Sequence, residues 1–345
     1  MVEANIDAAG PQGMRSDGSG PALAVRLFGW LFLSIMAAFI VSSILTFWYG
    51  WPGVGPLFGL QSEAGGSPST ALMWAQAGVY AALAALSVLY VYRSRDLPLR
   101  MDAERVSNAN RFLVRTAFWV VFLVGLADAC VSFLRVEGLL EGLVGADLAG
   151  NLGRSQFRGL YVHVPVMILG IVVGALTRSL GVIWLALLVV AAELVIVFTR
   201  FIFSYEQAFM ADLVRFWYGA LFLFASAFTL LEDGHVRVDV FYAGFTRRKK
   251  GFVNSWGSVL LGMSLCWTIL ILGMWSKSSI IVSPILVFEV TQSGFGMYVK
   301  YFMAGFLGIF AVTMMIQFVS QLFSAAADVR NEPGGDTPSF ESLSH

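Results

Sequence analysis

Long apolar blocks alternate with short polar connections along the whole chain. A helix needs about 20 mostly apolar residues to cross a hydrocarbon core about 30 Å thick at a rise of 1.5 Å per residue. Eight blocks meet or approach that length: 23–49, 71–92, 112–134, 159–176, 181–203, 213–231, 252–275 and 299–323. The fourth is the weakest. It is short, it has Pro165 near its start, and only Thr177, Arg178 and Ser179 part it from the fifth, so it is either a full span or a re-entrant segment. The pattern predicts an all-α, polytopic transmembrane helical bundle of about eight spans.

Positive residues in short loops are retained on the cytoplasmic side, which sets orientation. With the N-terminus inside, the inner loops carry Arg93, Arg95, Arg100, Arg105 and Arg111, then Arg178, then Arg237, Arg247, Arg248, Lys249 and Lys250. The connection 50–70 has no Lys or Arg and is built of Gly, Pro and Ser, as suits an outer loop. Both termini are therefore expected in the cytoplasm. The polar stretch 1–22 reads as a cytoplasmic tail rather than a signal peptide, because the apolar run after it exceeds the 7–15 residues of a signal core. The stretch 331–345 reads as a second tail, rich in Pro, Gly, Ser and acidic residues. Between the tails the chain divides into four helices over 23–178 and four over 179–330. Each half has a long basic loop between its second and third helix. Trp48, Tyr49, Trp51, Tyr90, Tyr92, Trp217, Tyr218, Tyr298 and Tyr301 fall where helices should meet the headgroups.

Composition supports the same class: 58% of residues are hydrophobic and 13% charged, and the net charge is zero. A balanced charge dispersed through loops leaves no nucleic-acid footprint. Cys130 and Cys266 lie far apart in apolar runs without metal or redox spacing, and both read as small packing residues. The three histidines, His163, His235 and His345, do not offer two ring nitrogens at one depth on facing helices, so no haem site is expected. No nucleophile and base stand together, so neither catalysis nor a cofactor is expected.

The ionisable groups inside spans need a reason, since a charge at mid-membrane costs about 2.5–3.5 kcal/mol on insertion scales. Asp128 falls in the outer half of the third span and Glu193 near the centre of the fifth. They either bind a coupling ion in a stand-alone transporter or hold helices and subunits together. Arg200 shares the helical face of Glu193 and reaches toward the outer membrane interface, and Asp212 and Arg215 stand near that interface. Small residues Gly125, Gly170, Gly174 and Gly219 would let helices approach closely.

The densest motif follows the sixth span: Gly234-His235-Val236-Arg237-Val238-Asp239, then Phe241, Tyr242 and Phe245, then Arg247 to Lys250. It reads equally as an amphipathic segment in the membrane interface and as a solvated basic loop. From Gly181 to Arg330 the sequence resembles the small membrane subunit, or DctQ family, of tripartite ATP-independent periplasmic (TRAP) transporters. The resemblance rests on Arg200-Phe-Ile-Phe, on Asp212 with Arg215, and on the Gly234-His235-Val-Arg237-Val-Asp239 signature. Members show a Trp and two Glu before the sixth helix, where this chain has Phe209, Met210, Ala211 and Asp212. The resemblance implies a scaffold in a bacterial inner membrane that buttresses a large permease subunit. A periplasmic binding protein would deliver the solute, an organic acid by family habit. Glu193, Arg200, Asp212, Arg215, His235, Arg237 and Asp239 become candidates for polar contacts between subunits, and the four helices over 23–178 are an addition to the family pattern.

Overall fold

The computed structural model describes residues 21–60, 69–177, 182–205, 209–231, 241–290 and 296–334. Among these residues the regular structure is helical, and eight helices are long and apolar enough to cross a membrane. The spans are α1 (Pro21–Tyr49), α2 (Thr70–Arg93), α3 (Leu99–Val136), a composite helix Ser155–Leu176, α8 (Val182–Phe203), α9 (Met210–Leu231), a composite helix Arg247–Met274, and α13 (Lys300–Val329). Between α3 and the fourth span lie two short helices, α4 (Leu140–Val144) and α5 (Ala146–Leu152). The weak fourth block is thus a helix of 22 residues, lengthened at its start by residues that its polar content kept out of the apolar count.

Both composite helices contain a π turn. The first runs as α6 (Ser155–Arg158), a π turn Gly159–His163 and α7 (Val164–Leu176). The second runs as α10 (Arg247–Gly257), a π turn Ser258–Met263 and α11 (Ser264–Met274), followed by the short α12 (Val282–Leu286). A π turn hydrogen-bonds i to i+5 and recurs at functional positions in helices.

Helix α3 is the axis of the bundle. It packs along α7 on one side and along α13 and α9 on others, while α13 also receives α1, α10 and α11. Glycine spacing explains the closest of these approaches. A Cβ on Gly170 would sit 2.7 Å from the Val120 backbone, and one on Gly174 would sit 2.8 Å from the Thr116 backbone, so α7 lies directly on α3. Gly125 likewise admits the indole of Trp217 from α9. Gly219 has no neighbour closer than 3.8 Å and serves no such approach.

Helices from the 23–178 and 179–330 segments share one interior. Near one end, Phe118 of α3, Phe216 and Phe224 of α9 and Phe306 of α13 interlock, with Phe224 against Phe306 at 5.1 Å. Near the other, Met36 of α1, Leu99 and Val106 of α3, Leu270 of α11 and Met315 and Phe323 of α13 form a second apolar layer. Two loops that the charge rule puts on one side do meet at one end: Arg100 and Arg247 both donate to Asp328 Oδ1, at 2.6 and 2.9 Å. Trp217 and Tyr301, expected in a headgroup belt, are instead buried packing residues. Their rings fill interhelical space that the sequence pattern alone could not reveal. Cys266 is buried as expected, whereas Cys130 lies on an exposed face of α3.

Helix α8 stands apart. It leans on α9 and touches α3 lightly, and most of its side chains, among them Trp184, Leu187, Val190, Leu194 and Val197, face outward.

Candidate functional site

The densest polar constellation lies inside the bundle, where α3, the first π turn and the start of α13 converge. Asp128, Ser132 and Arg135 follow one another at helical spacing and so share one face of α3. Arg158 ends α6 and His163 ends the π turn. Five residues apart, these side chains would diverge on an α-helix. A π turn closes its backbone bond across five residues, here from the Val164 N–H to the Gly159 carbonyl, and thereby brings both onto the face that meets Asp128. Gly159 allows the approach from the other side, because a Cβ there would lie 2.4 Å from the Phe288 ring and 3.3 Å from the Tyr301 hydroxyl.

Asp128, Arg158 and His163 are all 0% exposed. Asp128 Oδ1 accepts from Arg158 Nη1 at 3.0 Å and pairs with His163 Nε2 at 2.9 Å. Its other oxygen accepts from the backbone N–H of Tyr298 at 2.8 Å. Arg158 also donates to Ser132 Oγ at 3.1 Å and to the Leu152 carbonyl at 2.9 Å, and lies 4.1 Å over the Tyr298 ring. His163 Nδ1 meets the Tyr301 hydroxyl at 2.6 Å. The His163 ring thus bridges the Tyr301 hydroxyl and the Asp128 carboxylate. Burial of an ion is tolerated where a counter-ion and further hydrogen bonds surround it, and Asp128 has both.

A second carboxylate extends the clamp. Asp212, at the start of α9, accepts from the N–H of Met297 at 3.1 Å and lies 3.8 Å from Arg215. The amides of consecutive residues, Met297 and Tyr298, are therefore held by carboxylates from two different helices. Arg135 donates to the Gly296 carbonyl at 3.1 Å, so the approach to α13 is fixed from three directions.

An analogous pair lies near the basic end. Arg26 of α1, 1% exposed, donates to Asp102 of α3, 0% exposed, and to the carbonyl and hydroxyl of Ser94 at 2.6 and 2.8 Å. The Tyr90 hydroxyl donates to the same carboxylate at 3.3 Å.

Of the residues predicted from sequence, Asp212 is in the clamp and Arg215 at its edge, largely exposed. Glu193 is at the middle of α8 and Arg200 near its end, both exposed, and neither is among the hydrogen-bond partners of Asp128. His235, Arg237 and Asp239 lie outside the described residues. Arg158, Arg26 and Asp102 were not predicted, and Tyr298 and Tyr301 were expected only at the headgroups. Arg158 stood just outside the apolar block, and only a buried partner on α3 gives it meaning. Among the described residues no group of three or more His, Cys, Asp or Glu could hold a metal ion. The chain matches no family model, no curated protein and no solved structure. The geometry therefore carries the functional reading: a multi-pass helical membrane protein with charge-compensated clamps inside and a carboxylate on the outer face of one peripheral helix.

Proposed function

We propose that this chain is a non-catalytic scaffold subunit of a multi-component solute transporter of the TRAP type, in a bacterial inner membrane, with both termini in the cytoplasm. Its partners on this reading are a large permease subunit, which carries the substrate and coupling-ion sites, and a periplasmic protein that delivers a small organic acid. The observation that carries the reading is the outward face of α8. Glu193 stands there at mid-helix among Val190, Leu194 and Val197, all exposed. A carboxylate facing lipid at that depth is costly, and the cost is relieved when a donor on another chain meets it. The surrounding apolar face suits helix packing in a bilayer. Asp128, by contrast, already has three N–H partners inside the bundle. A stand-alone transporter in which Asp128 and Glu193 share a coupling ion has weaker support, because one group lies within the bundle and the other on its surface.

Affinity purification of the full chain from native membranes in mild detergent tests the reading. A second, larger apolar chain should co-purify, and Glu193→Leu should lower its recovery several-fold without altering the elution profile of this chain. Solute uptake by this chain alone in liposomes would contradict the proposal.

A further inference from the structure

A groove of about 370 Å³ opens on the outer face of α2 at its basic end, lined by Leu86, Leu89, Tyr90, Arg93 and Ser94. These residues recur at three- and four-residue intervals and so form one stripe along the helix. From Leu86 to Arg93 the stripe rises about 10 Å, from the apolar part of the span to the headgroup level. Its deep end is apolar, with Leu86 and Leu89 both exposed. Its lining is apolar throughout, and cations flank its shallow end: Arg93, which lines it, is exposed, and Arg105, outside it, donates to the Tyr90 hydroxyl at 2.8 Å.

The wall between those ends is fixed by the interior. The Tyr90 ring packs edge-on against Trp30 at 4.7 Å, and its hydroxyl donates to Asp102. Ser94 is held through its carbonyl and its hydroxyl by Arg26. Arg26 and Asp102 neutralise each other, and the exposed Arg93, Arg95 and Arg105 outnumber the exposed Asp96 and Glu104 on that side, leaving one positive charge in excess at the rim. A volume near the lower bound for small-ligand pockets admits a headgroup and the first stretch of one chain, not a whole lipid.

We infer that this groove is a binding site for one anionic phospholipid, with an acyl chain on Leu86 and Leu89 and the phosphate at Arg93 and Arg105. Charge complementarity with the anionic leaflet surface selects this occupant. The inference is independent of any partner on α8.

Native mass spectrometry of the detergent-purified full chain, titrated with phosphatidylglycerol or phosphatidylcholine, tests it. One phosphatidylglycerol should be retained in preference to phosphatidylcholine, and Arg93→Gln should weaken it roughly fivefold, the weight of one guanidinium near an anionic surface. Arg248→Gln, which removes an exposed charge from the other basic segment, should leave it unchanged, and millimolar inorganic phosphate should not displace it. Equal retention of both lipids, equal losses in the two variants, or displacement by phosphate would overturn the assignment.

Discussion

Helices α3 and α8 each carry a carboxylate deep within an apolar run, and they treat it in opposite ways. On α3, Asp128 is enclosed and matched by Arg158, His163 and the Tyr298 amide. On α8, Glu193 faces away from the bundle. In lipid a charge is stabilised only by partners, because no water competes for it. The first carboxylate finds its partners within the chain and works as a clamp, and the second stands on the outward face, where the proposed subunit would meet it.

Breaking the α3 clamp should give the largest effect. Asp128→Ala leaves Arg158 buried without its counter-ion, a change worth about 3–5 kcal/mol, read as a steep loss of folded protein in a detergent melt. Replacing the pair together, with Asp128→Leu and Arg158→Met, should recover much of that loss, since a well-packed apolar pair avoids the desolvation penalty. A double variant no better than Asp128→Ala would show that the ion pair is not the origin of the effect. Overfilling the α3–α7 contact comes next: Gly170→Leu forces the side chain into the Val120 backbone and should cost about 1–3 kcal/mol in the same melt. Tyr301→Phe leaves the buried His163 Nδ1 without its partner and should cost about 1–3 kcal/mol, toward the lower end because the aromatic ring is kept. Glu193→Leu removes a costly carboxylate from the outward face and should not lower the melt at all, so that any loss of a bound partner is not a folding defect.

The same contrast explains what could be read from sequence. Eight spans were legible because the bilayer imposes a length and an apolar content that few other structures share. Glu193 and Asp128 were legible as costly groups, and Gly125, Gly170 and Gly174 as contact residues. The pairing of Asp128 was hidden, because it depends on a π turn whose residues, Gly159 to His163, look no different from ordinary helix. Tyr301 and Trp217 carry the amphipathic signature of headgroup residues, and only their depth between helices distinguishes them. Asp212 was singled out for its charge, while its work is to accept a main-chain N–H, which no residue pattern announces.

Photo-crosslinking from the outward face of α8 shows whether a second membrane chain covers it. A photoreactive residue at position 197, one turn beyond Glu193, is irradiated in native membranes, with position 126 on the exposed face of α3 as reference. An adduct with a second integral membrane chain is expected at 197, diminished by Glu193→Leu. Labelling at 197 by lipid alone, indistinguishable from that at 126, would contradict the proposed subunit contact.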